Sequence, residues 1–255
     1  MTIQNPITRF SDRVEDYVKY RPGYPPQVIE VLRDRCALSA KSAIADIGSG
    51  PGNLARLLLE TGCEVFAVEP NPEMRNAGLE LLGQFDRYHS VEGKAEETSL
   101  ADASMDLITA AQAFHWFDWR RARTEFQRIL RPGGWVVLLW NNRRLDASPF
   151  LREYEQLLLE FGTDYAEVKQ QGRASVKAIA DFFSHGYETV ALENLQIFDF
   201  DGLRGRLFSA SYAPKAGHPN HGPMLAQLRT IFSRYATNGS VAFEYDANIY
   251  FGQLR

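Results

Sequence analysis

The sequence predicts an α/β fold in which helices cover both faces of a mostly parallel sheet, and three observations carry that prediction. Short, nearly continuous apolar runs alternate with segments of helical periodicity between residues 28 and 140. Those runs lack the in-and-out alternation of a half-exposed sheet, as strands buried on both faces do. One run, Ser42–Ile47, opens into "GSGPGN", with Gly48, Gly50 and Gly52 ahead of a leucine-rich stretch. Glycines there mark a tight strand-to-helix turn.

Taken in order, the elements begin with a helix over Val28–Arg35 and a first strand over Ser42–Ile47. Pro51 suits a helix start, so Leu54–Leu59 reads as helix, stopped by Gly62 before the β-rich run Glu64–Val68. The alternation continues with a helix over Pro72–Leu82, strands over Tyr88–Glu92 and Met105–Ala111, a helix over Asp118–Leu130 and a strand over Gly134–Trp140. From Asp146 to Ser184 the pattern turns helical and more polar, clearest over Phe150–Phe161 and Val176–Phe183, and reads as an insertion over the sheet. Thr189–Phe200 and Ser240–Phe251 alternate as long strands around a helical Pro223–Tyr235, and suit an antiparallel pair at one sheet edge.

Size and charge narrow the function. With 255 residues, 45% of them hydrophobic, the chain suits one domain with an appended subdomain. Its expected parts are an N-terminal segment (1–40), a core (41–144), a helical insertion (145–186) and C-terminal strands with a helix (187–255). A net charge of -4 gives no global field toward nucleic acid or an anionic membrane, so the expected partner is a small molecule. The arginines of "DWRRARTEFQRILRPGG" spread around a helix and gather toward its carboxyl end, where they solvate it and complement its dipole. Neither a signal peptide nor a membrane-spanning run is evident, and a cytoplasmic location is the expectation. Cys36 and Cys63 are too few for a disulfide scaffold and lack metal-ligand spacing, so no metal is expected.

Ligands of an open parallel sheet bind beyond the carboxyl ends of its strands. Gly48 and Gly50 permit close approach there, and the following helix start offers amides and a positive dipole end. Glu69 closes the second strand 21 positions after Gly48, where a carboxylate can accept from both hydroxyls of a ribose. An adenosine-containing ligand is therefore expected. A ligand-free surface turn and a solvated acid are the plainer readings of these residues. The final glycine of a dinucleotide fingerprint is replaced by Asn53, and Pro51 removes an amide that a pyrophosphate would use. A ligand carrying one carboxylate and one ammonium fits better, the ammonium beside Asp46; S-adenosylmethionine is such a ligand.

The segments "ADIGSGPGN", "AVEPNPEMR" and "GKAEETSLADASMDLITAAQAFHWFD" together resemble class I S-adenosylmethionine-dependent methyltransferases. "FSDRVEDYVKYRPGYP" and "AFHWFD" are similar to the small-molecule branch that includes trans-aconitate methyltransferase-like proteins. The resemblance implies a Rossmann-like seven-stranded sheet in the order 3-2-1-4-5-7-6, with the last strand antiparallel and a lid formed by the N-terminal segment and the insertion. It implies that Gly48, Ser49 and Gly50 face the methionine part of the cofactor, with Asp46 at its ammonium. Glu69 takes the ribose, and Pro70 and Met74 flank the adenine. Ala95 and Glu96 meet the adenine edge, although Glu96 also reads as a charge placed at a helix N-terminus. Gln112 sits beside the methionine part, and the segment from Ala113 to Trp116 forms the floor near the methyl group.

Two constellations bear on the acceptor. His115 beside Trp116 reads either as a general base or as a wall of the cavity. Tyr17, Tyr20 and Tyr24 fall on one face of a short helix, so packing competes with a lid role for Tyr20, while Arg21 can clamp a carboxylate of cofactor or substrate. The function expected is methyl transfer by in-line displacement to a small-molecule acceptor, with a carboxylic acid among the candidates. The rivals are an NAD(P)-dependent oxidoreductase and an S-adenosylmethionine-binding protein without turnover. The sequence leaves the oligomeric state open.

Overall fold

The computed structural model describes residues 14–254, without the side chains of residues 171–176. Residues 10–13, which begin the segment "FSDRVEDYVKYRPGYP", lie outside the described residues. Strands β1 (Ala43–Ile47), β2 (Glu64–Val68), β3 (Tyr88–Val91), β4 (Met105–Ala111), β5 (Leu130–Arg143), β6 (Glu188–Phe198) and β7 (Val241–Gly252) form one sheet. Their order is β3-β2-β1-β4-β5-β7-β6. The five strands from β3 to β5 run parallel, and β7 is antiparallel to both β5 and β6. The topology is the one expected.

The helices are α1 (Val14–Tyr20), α2 (Gln27–Cys36), α3 (Asn53–Leu59), α4 (Pro72–Leu82), α5 (Trp119–Ile129), α6 (Pro149–Phe161), α7 (Tyr165–Phe183), α8 (Phe200–Phe208) and α9 (His221–Tyr235). Side-chain caps fix several starts: Asn71 accepts from the Met74 amide ahead of α4, and Asp118 accepts from Arg120 and Arg121 ahead of α5. On one face of the sheet, Val28 and Leu32 of α2 and Leu54 and Leu58 of α3 pack with Ile44, Val65 and Leu107. On the other, Phe126 of α5 and Phe182 and Phe183 of α7 pack with Ala45, Ile108 and Leu138. Each such fully buried side chain contributes about 1.5–3 kcal/mol, so every β1 residue, enclosed from both sides, is held firmly where the glycine turn begins.

A third core lies beyond the sheet. Leu151, Tyr154 and Leu158 of α6 pack with Leu203 and Leu207 of α8, Met224 and Leu228 of α9, and Phe243 and Tyr245 of β7. The insertion and the C-terminal segment therefore share one cap, where the sequence separates them at residue 186. Packing between segments remote in sequence decides this, and no local period announces it.

Other boundaries move for identifiable reasons. The last strand but one ends at Phe198, not Phe200, because the Asp199 side chain accepts from the Gly202 amide and starts α8, which the sequence reading omits. Strand β5 begins at Leu130 because Leu130 pairs with Met105 across an irregularity before Trp135 meets Leu107. Helix α7 reaches back to Tyr165, well before Val176. Tyr24 lies beyond the end of α1, so the three N-terminal tyrosines do not share one helix face. Among the described residues no helix is long and apolar enough to cross a membrane.

Candidate active site

A cavity of about 800 Å³ opens beyond the carboxyl ends of the strands, between the sheet and the cap. Its floor is the glycine turn. Gly48 takes φ +66°, and a Cβ there would lie 2.6 Å from Cβ of Ala113, so turn and 112–117 segment touch only because the side chain is missing. Gly50 takes φ +56°, and a Cβ there would meet nothing within 4 Å. The space over Gly50 is open cavity.

The amides of this turn are engaged by the protein. Gly48 and Ser49 donate to the Val68 carbonyl at 2.8 and 3.3 Å, and Gly50 donates to Oε2 of Glu69 at 2.9 Å. These three amides precede α3, so the expectation of free amides at the start of the helix is not touched by them. The turn uses them to fix itself to β2, and it offers a ligand shape and proximity instead.

Glu69 is buried at the end of β2, its other oxygen accepting from the Asn71 amide at 2.9 Å. Burial raises its pKa, while the hydrogen bonds from Asn71 and Gly50 and the charge of Arg75 act in the opposite direction. Each oxygen keeps an unused lone pair, so the carboxylate can still accept from two hydroxyls. Asp46, fully buried on β1, accepts from the Thr109 hydroxyl through Oδ1 at 2.8 Å, and its Oδ2 has no hydrogen-bond partner. Burial pushes its pKa up to about 7, the Thr109 bond opposing and the charge of Glu69 adding to the rise. A buried carboxylate oxygen without a partner, two positions before Gly48 of the cavity floor, calls for a cation.

Around this floor lie Pro70, Met74, Ala95, Glu96, Gln112, His115 and Trp116, all on the cavity wall with Ser49. Gln112 adopts φ +58°, a strained conformation for a residue with a side chain, held by its amide on the Leu139 carbonyl and its Nε2 on the Asn141 carbonyl. His115 stands in a 3-10 turn with its ring 4.7 Å from that of Trp116. Oε1 of Glu96 accepts from the Asp118 amide at 2.7 Å, so this carboxylate serves the start of α5, the plainer of its two readings.

Three independent comparisons agree with this geometry. Residues 45–138 match the family described as a methyltransferase domain. An uncharacterized methyltransferase of Mycobacterium bovis is 40% identical over 134 residues, 52% of each chain. A malonyl-[acyl-carrier protein] O-methyltransferase of Enterobacter lignolyticus is 35% identical over 125 residues, 49% of this chain and 48% of that one. The chain thus aligns with about half the length of these curated relatives. In fold, the structure of a putative type II methyltransferase from Anaeromyxobacter dehalogenans covers 92% of this chain and 98% of its own, with TM-score 0.63 and 21% identity.

Residues 45–138 thus match a methyltransferase domain, set in a sheet of the Rossmann-like methyltransferase order. S-adenosylmethionine is the cofactor of that domain, and the residues present fit it on three counts. The open space over Gly50 admits a ligand against the main chain. The unpartnered Oδ2 of Asp46 suits an ammonium. The spare lone pairs of Glu69 suit the two hydroxyls of a ribose.

Across the cavity of this methyltransferase domain the structure departs from the sequence reading. Arg21 lines the cavity and donates to the Ser209 carbonyl at 3.1 Å, whereas Tyr20 does not line it and packs its ring against Gly205 of α8. Arg143, Lys169 and Arg206 also line the cavity and went unnoticed in the sequence. Arg143 and Lys169 both pair with Glu155, which accepts from the Tyr165 hydroxyl at 2.6 Å. Arg206, buried in α8, donates its Nε to the Tyr245 hydroxyl at 3.2 Å. Asp199, four positions before Leu203 and its helical partner Leu207, was the available signal for α8. Nothing local marks Arg206 as facing a cavity.

Proposed function

We propose that this chain transfers a methyl group to a small-molecule acceptor bound under the cap, and that the acceptor is an acid. When bound, S-adenosylmethionine supplies a methyl group on a positively charged sulfur, which an acceptor atom takes by direct displacement. The observation that carries the reading is the paired preparation of Glu69 and Asp46: one carboxylate pinned to the glycine turn with lone pairs spare, the other buried with an oxygen unpartnered. A ribose and an ammonium answer both.

The chain's own residues hold the cofactor, enclose it and position the acceptor. Asp46, Gly48, Ser49, Gly50, Glu69, Pro70, Met74, Ala95 and Gln112 form its bed, with the Glu96 carboxylate contributing through the placement of α5. Trp116 and Arg21 border the acceptor space. Alignment of reacting atoms and exclusion of water by such an enclosure supply on the order of several kcal/mol of the barrier reduction. His115, packed on Trp116, forms wall, and a carboxylate acceptor needs no base. Placement near the trans-aconitate methyltransferase-like branch rests on "YRPGYP" and "AFHWFD", and the cytoplasmic setting rests on composition alone. An acid as acceptor is supported by the positive lining of the cap and by a relative named for O-methylation of a malonyl group. The dinucleotide reading loses ground because no described glycine-turn amide from Gly48 to Gly50 is left for a pyrophosphate.

The test is calorimetric titration with S-adenosylhomocysteine and NAD side by side, followed by methylation assays across carboxylic acids, phenols and amines. Binding of the first ligand and methylated product among the acids is expected. Binding of NAD alone overturns the reading, and product only among the amines overturns the acid.

A further inference from the structure

The cap side of the cavity carries more positive charge than its walls neutralise. Arg21, Lys94, Arg143, Lys169 and Arg206 line the cavity against two acids, Glu69 and Glu96, and both acids belong to the cofactor floor. Arg143 and Lys169 are offset by Glu155. Arg21 and Arg206 are not: among the described residues each guanidinium has one hydrogen bond, to a carbonyl and to a tyrosine hydroxyl respectively, and neither pairs with a carboxylate. Nε of Arg21 is buried without a partner, and Arg206 is only 6% exposed. The two guanidiniums lie close enough that the charge of Arg206 adds to burial in lowering the pKa of Arg21. Buried charges left uncompensated cost several kcal/mol, and a fold that keeps two side by side keeps them for an anion.

We infer that Arg206, with Arg21 beside it, grips an anionic group of the methyl acceptor, a carboxylate or a phosphate, and that this group anchors the acceptor and is not the one methylated. The inference rests on the methyl-transfer reading above. Two arguments separate anchor from recipient. The first is height. Leu139 of β5 lies opposite Ala111, level with the cofactor floor, and Arg143, opposite Tyr245, is four residues further along β5. At about 3.3 Å per residue the Tyr245 level stands roughly 13 Å above that floor. The Tyr245 hydroxyl, which donates to Oε1 of Gln196 at 2.9 Å, accepts from Nε of Arg206 and orients the guanidinium at this level.

The second argument is chemical. Oxygens held by two guanidiniums give their lone pairs to charge-assisted hydrogen bonds and become poor nucleophiles. The new carbon bond therefore uses the lone pair of a separate, ionised carboxylate nearer the floor, which has no proton to lose, while the electron pair of the broken carbon–sulfur bond stays on sulfur. The anchoring anion keeps its charge, so the product leaves the site still negative.

The experiment uses the full chain saturated with S-adenosylhomocysteine and titrated with sodium succinate and, separately, phenyl phosphate. Saturable binding of at least one is expected, and the pair tells carboxylate from phosphate. R206M weakens that binding by about tenfold or more, and R206K restores part of it, because lysine keeps the charge and loses the fork. Affinity for S-adenosylhomocysteine serves as the control for folding and stays as in the parent, while the melting temperature of R206M holds or rises because a buried uncompensated charge is removed. No saturable binding of either anion to the parent, or R206M binding like the parent, overturns the inference. A neutral methylated product from any acceptor that is turned over overturns the anchoring role. If S-adenosylhomocysteine itself fails to bind, the methyl-transfer reading falls, and the same titrations on the unliganded protein still decide whether Arg206 grips anions.

Discussion

At the cofactor-bed end of the cavity most contacts that shape the site are shorter in sequence: Glu69 reaches Asn71 two residues away and Gly50 nineteen away, Asn71 reaches Met74 three away, and the longest, Thr109 to Asp46, spans 63. At the acceptor end, Asn141 reaches the Gly23 carbonyl across 118 residues and Arg21 reaches Ser209 across 188. The first end is mostly main chain and carboxylate; the second is arginine and tyrosine. A site made of neighbouring residues forms as its strand and helix form. One made of distant residues depends on the packing of the whole cap, so its specificity can change with cap substitutions while the cofactor bed stays intact.

The contrast breaks first at Glu155. E155A leaves Arg143 buried without its carboxylate and removes the acceptor of Lys169 and Tyr165, so a loss of about 3–5 kcal/mol in unfolding free energy is expected from denaturant titration. Affinity for S-adenosylhomocysteine measured well below the unfolding transition changes little, because the cofactor bed does not use this network. A comparable fall in both quantities would show the two ends to be one unit.

E69A tests the other end. It removes the proposed ribose acceptor and unpins Gly50, and affinity for S-adenosylhomocysteine should fall by about 100-fold, the worth of two hydrogen bonds to a charged group. Binding of succinate or phenyl phosphate, whichever the parent takes, to the unliganded protein should be untouched.

Asp46 sharpens the comparison through pH. Its folded pKa, raised by burial to about 7, lies above the ordinary value of 3.8, so between these limits the folded protein holds a proton that the unfolded chain has released. Stability from this group is complete below the ordinary value and is lost as pH rises toward 7, by roughly 1.4 kcal/mol per pH unit. D46N abolishes that slope, which melting curves of both proteins between pH 5 and about 8 will display. Cofactor affinity runs the other way: ionised Asp46 attracts the ammonium, so S-adenosylhomocysteine binds more tightly as pH passes through 7 in the parent and not in D46N.

The smallest effect is expected at His115. As a wall residue on Trp116, its replacement in H115Q lowers kcat by less than about tenfold and leaves the pH profile unchanged, whereas loss of a general base costs about 100-fold or more.

Legibility followed the same division. Asp46, Gly48, Ser49, Gly50, Glu69, Pro70 and Met74 stood out because a strand, a glycine turn and an acid at the end of the next strand leave a contiguous signature; all but the buried Asp46 line the cavity. Tyr20 was misplaced because a tyrosine facing a ligand and one filling the space beside Gly205 look alike in sequence. Helix α8 was missed although Asp199 stood ready as its cap, since the alternating strand before it carried the reading two residues too far.

From the sequence alone came the parallel core with its antiparallel edge pair, the glycine turn and the chemical class of the cofactor, because periodicity, glycine and a spaced acid act over a few residues; the full strand order came from the resemblance to a known family. Tertiary structure alone decided which amides were already spent on the fold, that the insertion and the C-terminal helices make one cap, and that Arg206 and Arg21 meet without a carboxylate. Those are pairings of long polar side chains across the chain, and such pairings have no period from which they can be read.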